Sequence, residues 1–197
     1  MVLKLKDNPP IIWSPQFETA DDAQPLWPIT ESLCSFTGPW WVAHTKSRNE
    51  KALAHDLVAK NVGYFLPMSF KISSIRGRKI RSLMPLFGGY LFFCGGEKQR
   101  LELLKTNRVA NIIVVKDQQN LVDELAQIER ALRTGVPLTP HNYVKKGQRC
   151  RVKAGPLAGL EGIVLRAKRS ARLVLQVDLL GQAASVEVDL DLIEPLD

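Results

Sequence analysis

Val152-Lys153-Ala154-Gly155-Pro156-Leu157-Ala158-Gly159-Leu160-Glu161-Gly162-Ile163-Val164 joins two apolar runs through glycines spaced for a tight loop. Glycine tolerates the positive φ that such a loop demands, and proline pre-sets the first central position of a turn. The stretch therefore predicts a strand, a tight loop and a second strand. Downstream, Arg172-Leu173-Val174-Leu175-Gln176-Val177 is rich in β-branched and aliphatic residues, and Val186-Glu187-Val188-Asp189-Leu190-Asp191 alternates apolar with acidic side chains. Period two is the mark of a half-buried strand, so residues 144–197 read as a small β-barrel. A helical alternative is penalised by about 1 kcal/mol for each of Gly155, Gly159, Gly162 and Gly181, and by about 3 kcal/mol for Pro156.

Upstream, the pattern mixes helix and strand. Trp40 to Thr45 reads as a strand, and Ser47 with Glu50 three residues later reads as a capping box opening a helix. Leu53, Ala54, Leu57 and Val58 give that helix its apolar face. Val62 to Phe70 returns as a strand, and Lys71 to Arg81 reads as a basic hairpin with Arg76-Gly77-Arg78 at its tip. Gly89-Tyr90-Leu91-Phe92-Phe93-Cys94 is apolar throughout, as expected of a central strand buried on both faces. A second helix is expected over Glu97–Leu104 and a further strand over Asn111–Val115. Leu121, Leu125, Ile128 and Leu132 line one face of a third helix, with Asn120 as its cap and Gly135 at its end. Strands and helices in this order predict an α+β fold, one antiparallel sheet with helices packed on it.

The 197 residues suit two small domains. The expected division is a proline-rich extension over 1–38, an α+β domain over 39–134, a linker over 135–143 carrying Pro137 and Pro140, and the barrel over 144–197. Pro9, Pro10, Pro15, Pro25 and Pro28, with Pro39 at the junction, make the extension read as an extended tail; Trp13, Phe17, Trp27 and Phe36 equally suit docking onto the body or onto a partner. Net charge is +7, unevenly placed: residues 39–116 carry +10 and residues 1–38 carry −3. Positive charge concentrated on one domain attracts polyanions such as DNA and RNA.

Cys34, Cys94 and Cys150 are widely spaced and form no CxxC pair, so neither a disulfide framework nor a zinc site is expected. No signal peptide and no apolar run of the roughly 20 residues that a bilayer requires is evident, so a soluble cytoplasmic protein with no membrane contact is expected. Paired carboxylates in an apolar setting, a Cys–His constellation, a metal-ligand cluster and a phosphate-cradling loop are all missing from the pattern. The chain is read as a non-enzyme with no cofactor and no metal.

The glycine-rich stretch 152–164 resembles a KOW motif, and Leu180-Gly181-Gln182-Ala183-Ala184-Ser185-Val186-Glu187-Val188-Asp189 resembles the closing segment of a NusG-type C-terminal domain. Ribosomal proteins carry KOW motifs too. Pro39-Trp40-Trp41-Val42-Ala43-His44-Thr45-Lys46, followed by Ser47-Arg48-Asn49-Glu50-Lys51, resembles the opening strand and helix of the NusG N-terminal (NGN) domain. Phe65-Leu66-Pro67-Met68, Ile75-Arg76-Gly77-Arg78-Lys79 and Pro85-Leu86-Phe87-Gly88-Gly89-Tyr90-Leu91-Phe92 fall in the same order and spacing as in NusG and its specialised relative RfaH. The resemblance covers residues 39–197. It implies an NGN-type antiparallel sheet with packed helices, followed by a small SH3-like β-barrel, in a monomeric factor that rides on RNA polymerase.

By the same resemblance, an apolar cavity of the NGN domain grips the coiled-coil clamp helices of the largest polymerase subunit, and the matching positions are His44, Phe65, Pro67, Leu86, Phe87 and Tyr90. By residue type alone, Phe65, Phe87 and Tyr90 suit a core as well as an interface. Lys46, Arg48, Arg76, Arg78, Lys79 and Arg81 match places where RfaH-like proteins meet the non-template DNA strand or the upstream duplex. The barrel's partners in the family are the termination factor Rho or a small-subunit ribosomal protein, and Leu157, Leu160 and Leu180 stand where aromatics are typical. Gly88-Gly89 replaces the family's Pro-Gly, His44 replaces an aromatic of RfaH-like proteins, and Arg100-Leu101-Glu102-Leu103 does not match the polar cluster of RfaH. The hairpin, the extension and the altered KOW positions favour a specialised antiterminator over the general factor. The rival reading is a KOW-containing ribosomal or translation-associated RNA-binding protein, which leaves the Trp-Trp strand and the Pro-Leu-Phe-Gly-Gly-Tyr segment unexplained.

Overall fold

The computed structural model describes residues 9, 11–13, 32–75, 78–144, 147–166 and 171–196. The chain divides into two compact units, Met1–Gln118 and Gln119–Asp197. In chain order the first carries β1 (Ile12–Trp13), β2 (Trp40–Thr45), α1 (Glu50–Ala59), β3 (Gly63–Phe65), β4 (Met68–Ile75), β5 (Arg78–Pro85), β6 (Tyr90–Cys94), α2 (Glu97–Lys105) and β7 (Val109–Val114). Helix α3 (Gln118–Arg133) then leads to β8 (Thr139–Asn142), β9 (Gln148–Val152), β10 (Glu161–Arg166), β11 (Ala171–Val177), β12 (Gln182–Val188) and β13 (Ile193–Pro195). The architecture is α+β followed by a β-rich unit.

The first unit is built on an antiparallel sheet ordered β1-β3-β6-β2-β7. Leu91, Phe92 and Phe93 of β6 are fully buried, as are Val42 and Ala43 of its neighbour β2, which is what an uninterrupted apolar strand in mid-sheet requires. Leu53, Ala54 and Leu57 of α1 and Leu103 of α2 are also fully buried in this unit. The expected strand 62–70 is broken: β3 ends at Phe65 and β4 begins at Met68, with Leu66 and Pro67 between. Proline has no N–H to give a ladder, and the chain leaves the main sheet there. Among the described residues, strands β4 and β5 pair only with each other, from Met68↔Pro85 to Ile75↔Arg78, a longer ribbon than the sequence suggested.

The extension docks in part. Strand β1 pairs antiparallel with β3 through Ile12↔Phe65 and Trp13↔Tyr64, the Leu66 N–H donates to Ile11 O at 2.7 Å, and Ile11 is buried. Phe36 lies against Trp40 with ring centroids 5.0 Å apart. Phe17 and Trp27 lie outside the described residues.

In the second unit, strands run β13-β9-β10-β11-β12-β8, all pairs antiparallel. The loop expected between β9 and β10 is present: Gly155 and Gly159 have φ of 84° and 79°, and the Gly159 N–H reaches back to Val152 O at 2.7 Å. Gly162 leaves no room for a side chain, since a Cβ there would stand 2.5 Å from Val174 O. Residues 139–142, expected in the linker, form β8 at the sheet edge, where Pro140 is paired opposite Ala184; an edge tolerates the missing donor. Helix α3 has the expected buried stripe of Leu121, Leu125, Ile128 and Leu132, but it starts at Gln118, and the Asn120 side chain donates to Glu124 instead of capping. Three α3 side chains serve backbone groups of the second unit: Arg130 donates to Ala158 O and Gly159 O, Gln127 accepts the Glu161 N–H, and Glu124 accepts the Asp178 N–H.

Candidate functional site

The candidate polymerase-binding residues gather around the β5–β6 connection and separate by burial. Antiparallel register places His44 of β2 beside Tyr90 of β6, and their rings stack with centroids 5.0 Å apart and planes at 23°. His44 is exposed and Tyr90 half-buried. Behind them the positions are closed: Phe65 is fully buried, Leu86 and Phe87 are 2% and 1% exposed, and Pro67 is buried. Phe87 meets Phe92 edge to face at 6.2 Å, and Phe65 lies 6.3 Å from the same ring. Phe65, Pro67, Leu86 and Phe87 are therefore core residues of this fold, and the accessible members of the set are His44 and Tyr90. The connection is tied to the link between β3 and β4 by the Leu86 N–H donating to Pro67 O at 2.8 Å, and to β6 by the Phe87–Phe92 contact.

The turn that delivers Tyr90 is held from two sides. Gly89 has φ of 86°, in the region that favours glycine. Its N–H donates to the Glu50 carboxylate at 2.7 Å, and its carbonyl accepts the Thr45 N–H at 2.8 Å. The expected Ser47–Glu50 capping box is not formed: Asn49 is the N-cap of α1 and its side chain makes no cap bond. Glu50, itself buried, reaches across to Gly89 instead. The next residue, Lys51, donates from Nζ to Leu83 O. Burial pulls the Lys51 pKa down, opposed by the adjacent Glu50 charge. Sequence reasoning missed this role for both residues, because their hydrogen-bond partners lie more than thirty positions away.

The basic candidates divide. Lys46 and Arg48 are exposed in the β2–α1 connection, Arg48 at φ of 59°, and Lys46 Nζ donates to Asn107 Oδ1 at 2.6 Å. Lys79 is exposed on β5. Arg76 lies outside the described residues; Arg78 and Arg81 fall in β5, with their side chains outside that description. Arg108, which the sequence did not single out, braces the same connection through Asp56 and Asn49. Phe70, Ile72 and Met84 are exposed on the ribbon. A basic, partly apolar two-stranded ribbon can meet phosphates through lysine and bases through its apolar side chains.

On the second unit, Leu157 and Leu160 are 7% and 1% exposed, so these two KOW-loop leucines are core residues. Leu180 is half-exposed, and its neighbour Leu179 is exposed. Among the described residues no group of three His, Cys, Asp or Glu side chains is placed to hold a metal, and no helix is long and apolar enough to cross a membrane. The free thiol of Cys94 donates to Gly38 O, and burial raises its pKa to about 11, which keeps it protonated and unreactive at neutral pH.

A solved chain described as "Domain interaction in Thermotoga maritima NusG" aligns over 81% of this chain and 97% of its own length, at 17% identity and a TM-score of 0.44. No curated protein matches the chain. Residues 38–132 match the family model described as "Transcription termination factor nusG"; by sequence the match takes in α3, which by packing lies mainly in the second unit. It spans the Trp-Trp strand, the ribbon, the Gly88-Gly89 turn and four of the five strands of the first-unit sheet, β1 lying outside it, and on it residues 38–132 belong to the NusG family of transcription elongation and termination factors.

Proposed function

We propose that this protein is a transcription elongation and antitermination factor, a specialised member of its family, that grips the clamp helices of the largest RNA polymerase subunit through its first unit and recruits a second partner through its KOW unit. The observation that carries the reading is the stack of the exposed His44 on the half-buried Tyr90, in a unit whose core holds the Phe65, Phe87 and Phe92 rings, at positions matched to the family's clamp-binding cavity. A rigid aromatic pair on a packed base concentrates binding energy when a partner helix removes it from water. Pro67 and Leu86 serve as the floor that holds the pair in place.

Lys46, Arg48 and the ribbon residues Arg76, Arg78, Lys79 and Arg81 are the proposed contacts to the non-template DNA strand or the upstream duplex. Their charge gives attraction without sequence choice; base reading requires bidentate or stacked arginine. For the KOW unit, Leu180 with the exposed Leu179 is the accessible part of the proposed partner surface, Leu157 and Leu160 supporting it from the core, and Rho or a small-subunit ribosomal protein is the partner class. The protein acts as a cytoplasmic monomer without a cofactor.

Affinity purification of the tagged protein from its own cells, with polymerase subunits, Rho and ribosomal proteins quantified together, tests the reading. Enrichment of polymerase that falls on Tyr90→Ala supports it. Enrichment of ribosomes without polymerase replaces it with the translation-associated alternative.

A further inference from the structure

We infer that Glu50 is a positioning residue for recognition by the His44–Tyr90 surface, acting through the Gly88-Gly89 turn; the recognition part of this inference rests on the polymerase-binding reading above. Glu50 is a carboxylate with 9% exposure at the first position of α1, where its usual local role would be a capping box, and it makes none. Its Oε1 instead accepts the Gly89 N–H at 2.7 Å. Charged acceptors form stronger hydrogen bonds than neutral ones, and a buried donor left without its acceptor is costly.

The consequence for the surface follows from what Gly89 touches. Gly89 precedes Tyr90, its carbonyl takes the N–H of Thr45, and Thr45 follows His44. A Cβ built at Gly89 would stand 3.6 Å from the His44 ring, so backbone and ring are already in near contact. Glu50 thus fixes the peptide that leads into Tyr90 and hydrogen-bonds the residue after His44, and Lys51 fixes the other end of the same segment at Leu83 O. Gly88 has nothing within 4 Å of where its side chain would be, so no packing there restrains the turn, and the Glu50 carboxylate bound to the Gly89 N–H is placed to do so.

The test uses the full chain in wild-type, Glu50→Gln and Glu50→Ala forms. Three readouts are the Gly89 amide proton resonance, the His44–Tyr90 inter-ring contacts by NMR, and affinity for the isolated clamp-helix hairpin of the cognate polymerase. Glu50→Gln keeps the size of the side chain and removes its charge, so the fold persists and the Gly89 amide moves upfield as its acceptor weakens. Glu50→Ala is expected to lose the inter-ring contacts and to bind the hairpin about tenfold more weakly, as the competent turn becomes a minor population, with Gln recovering most of that affinity. A purely structural role would lower the melting temperature of Glu50→Ala and leave its ring contacts and affinity, measured well below melting, at wild-type values; that result overturns the inference. An unmoved Gly89 amide in Glu50→Gln overturns it as well, even where Glu50→Ala does not fold. Failure of the wild-type protein to bind the hairpin contradicts the polymerase reading alone, and the two NMR readouts then decide the role of Glu50.

Discussion

Replacing Phe87 and replacing Tyr90 are expected to do different things, although the two residues stand three positions apart in one motif. Phe87 is 1% exposed and packs edge to face on Phe92 at 6.2 Å. Truncating a buried phenylalanine removes its transfer free energy and leaves a cavity, about 3–5 kcal/mol together, against a total of about 5–15 kcal/mol for an ordinary domain. Tyr90 is half-exposed, and its loss removes the stack on His44 and part of a buried ring, for roughly 1 kcal/mol. Phe87→Ala therefore brings the first unit close to unfolding, and Tyr90→Ala leaves it folded with an altered surface. Urea denaturation followed by the fluorescence of Trp40 and Trp41 separates the two, provided that the slopes agree between variants. Phe87→Leu, which keeps most of the volume, should recover all but about 1.5 kcal/mol. A Phe87→Ala cost below about 1 kcal/mol, or a Tyr90→Ala cost equal to it, would contradict the division of this motif into core and surface. The practical consequence is that loss of polymerase in a Phe87 variant says little about contact, and the loss in a Tyr90 variant says much.

Gly162→Ala should destabilise the second unit by about 1–3 kcal/mol, because the added Cβ meets the Val174 carbonyl at 2.5 Å and neither backbone can yield without breaking the ladder. Gly181→Ala, at φ of 59° with nothing within 4 Å, should cost only about 1 kcal/mol for the left-handed backbone; thermal unfolding that ranks the two in the opposite order would refute the packing. Deleting residues 1–13 should raise the exchange rate of the Leu66 amide by about tenfold or more, because its acceptor Ile11 O is lost; unchanged protection measured by hydrogen exchange would mean that β1 does not hold that edge.

The parts of the fold that were legible in the sequence are those governed by local rules. Positive φ at Gly155 and Gly159 and the unbroken apolar run of β6 each follow from a residue's own conformational limits or from its nearest neighbours, whereas the alternation expected over Val186–Asp191 holds only through Val188, where β12 ends and the chain turns into a 3-10 helix over Leu190–Leu192. Contacts decided across the fold were not legible. Ile11-Ile12-Trp13 among prolines carries no sign that it will pair with β3, and Pro140 disguises an edge strand as linker. Glu50 fits a capping box in every local respect, and only the return of the chain at Gly89 gives its carboxylate a better-placed donor. The candidate site was half legible for a related reason. An apolar residue at a motif position looks the same whether it faces a partner or the core, so Phe65, Phe87, Leu157 and Leu160 could be placed only by their burial, whereas His44 and Tyr90 carry polar groups that suit an accessible position.

The most direct test of the central claim is titration of the purified full-length protein against purified RNA polymerase core enzyme, wild type beside Tyr90→Ala. The account predicts saturable binding by the wild type, weakened about tenfold or more in a variant that remains folded, as expected for an aromatic anchor at an interface centre. Absence of binding by the wild type, or equal affinity in the two proteins, would contradict it.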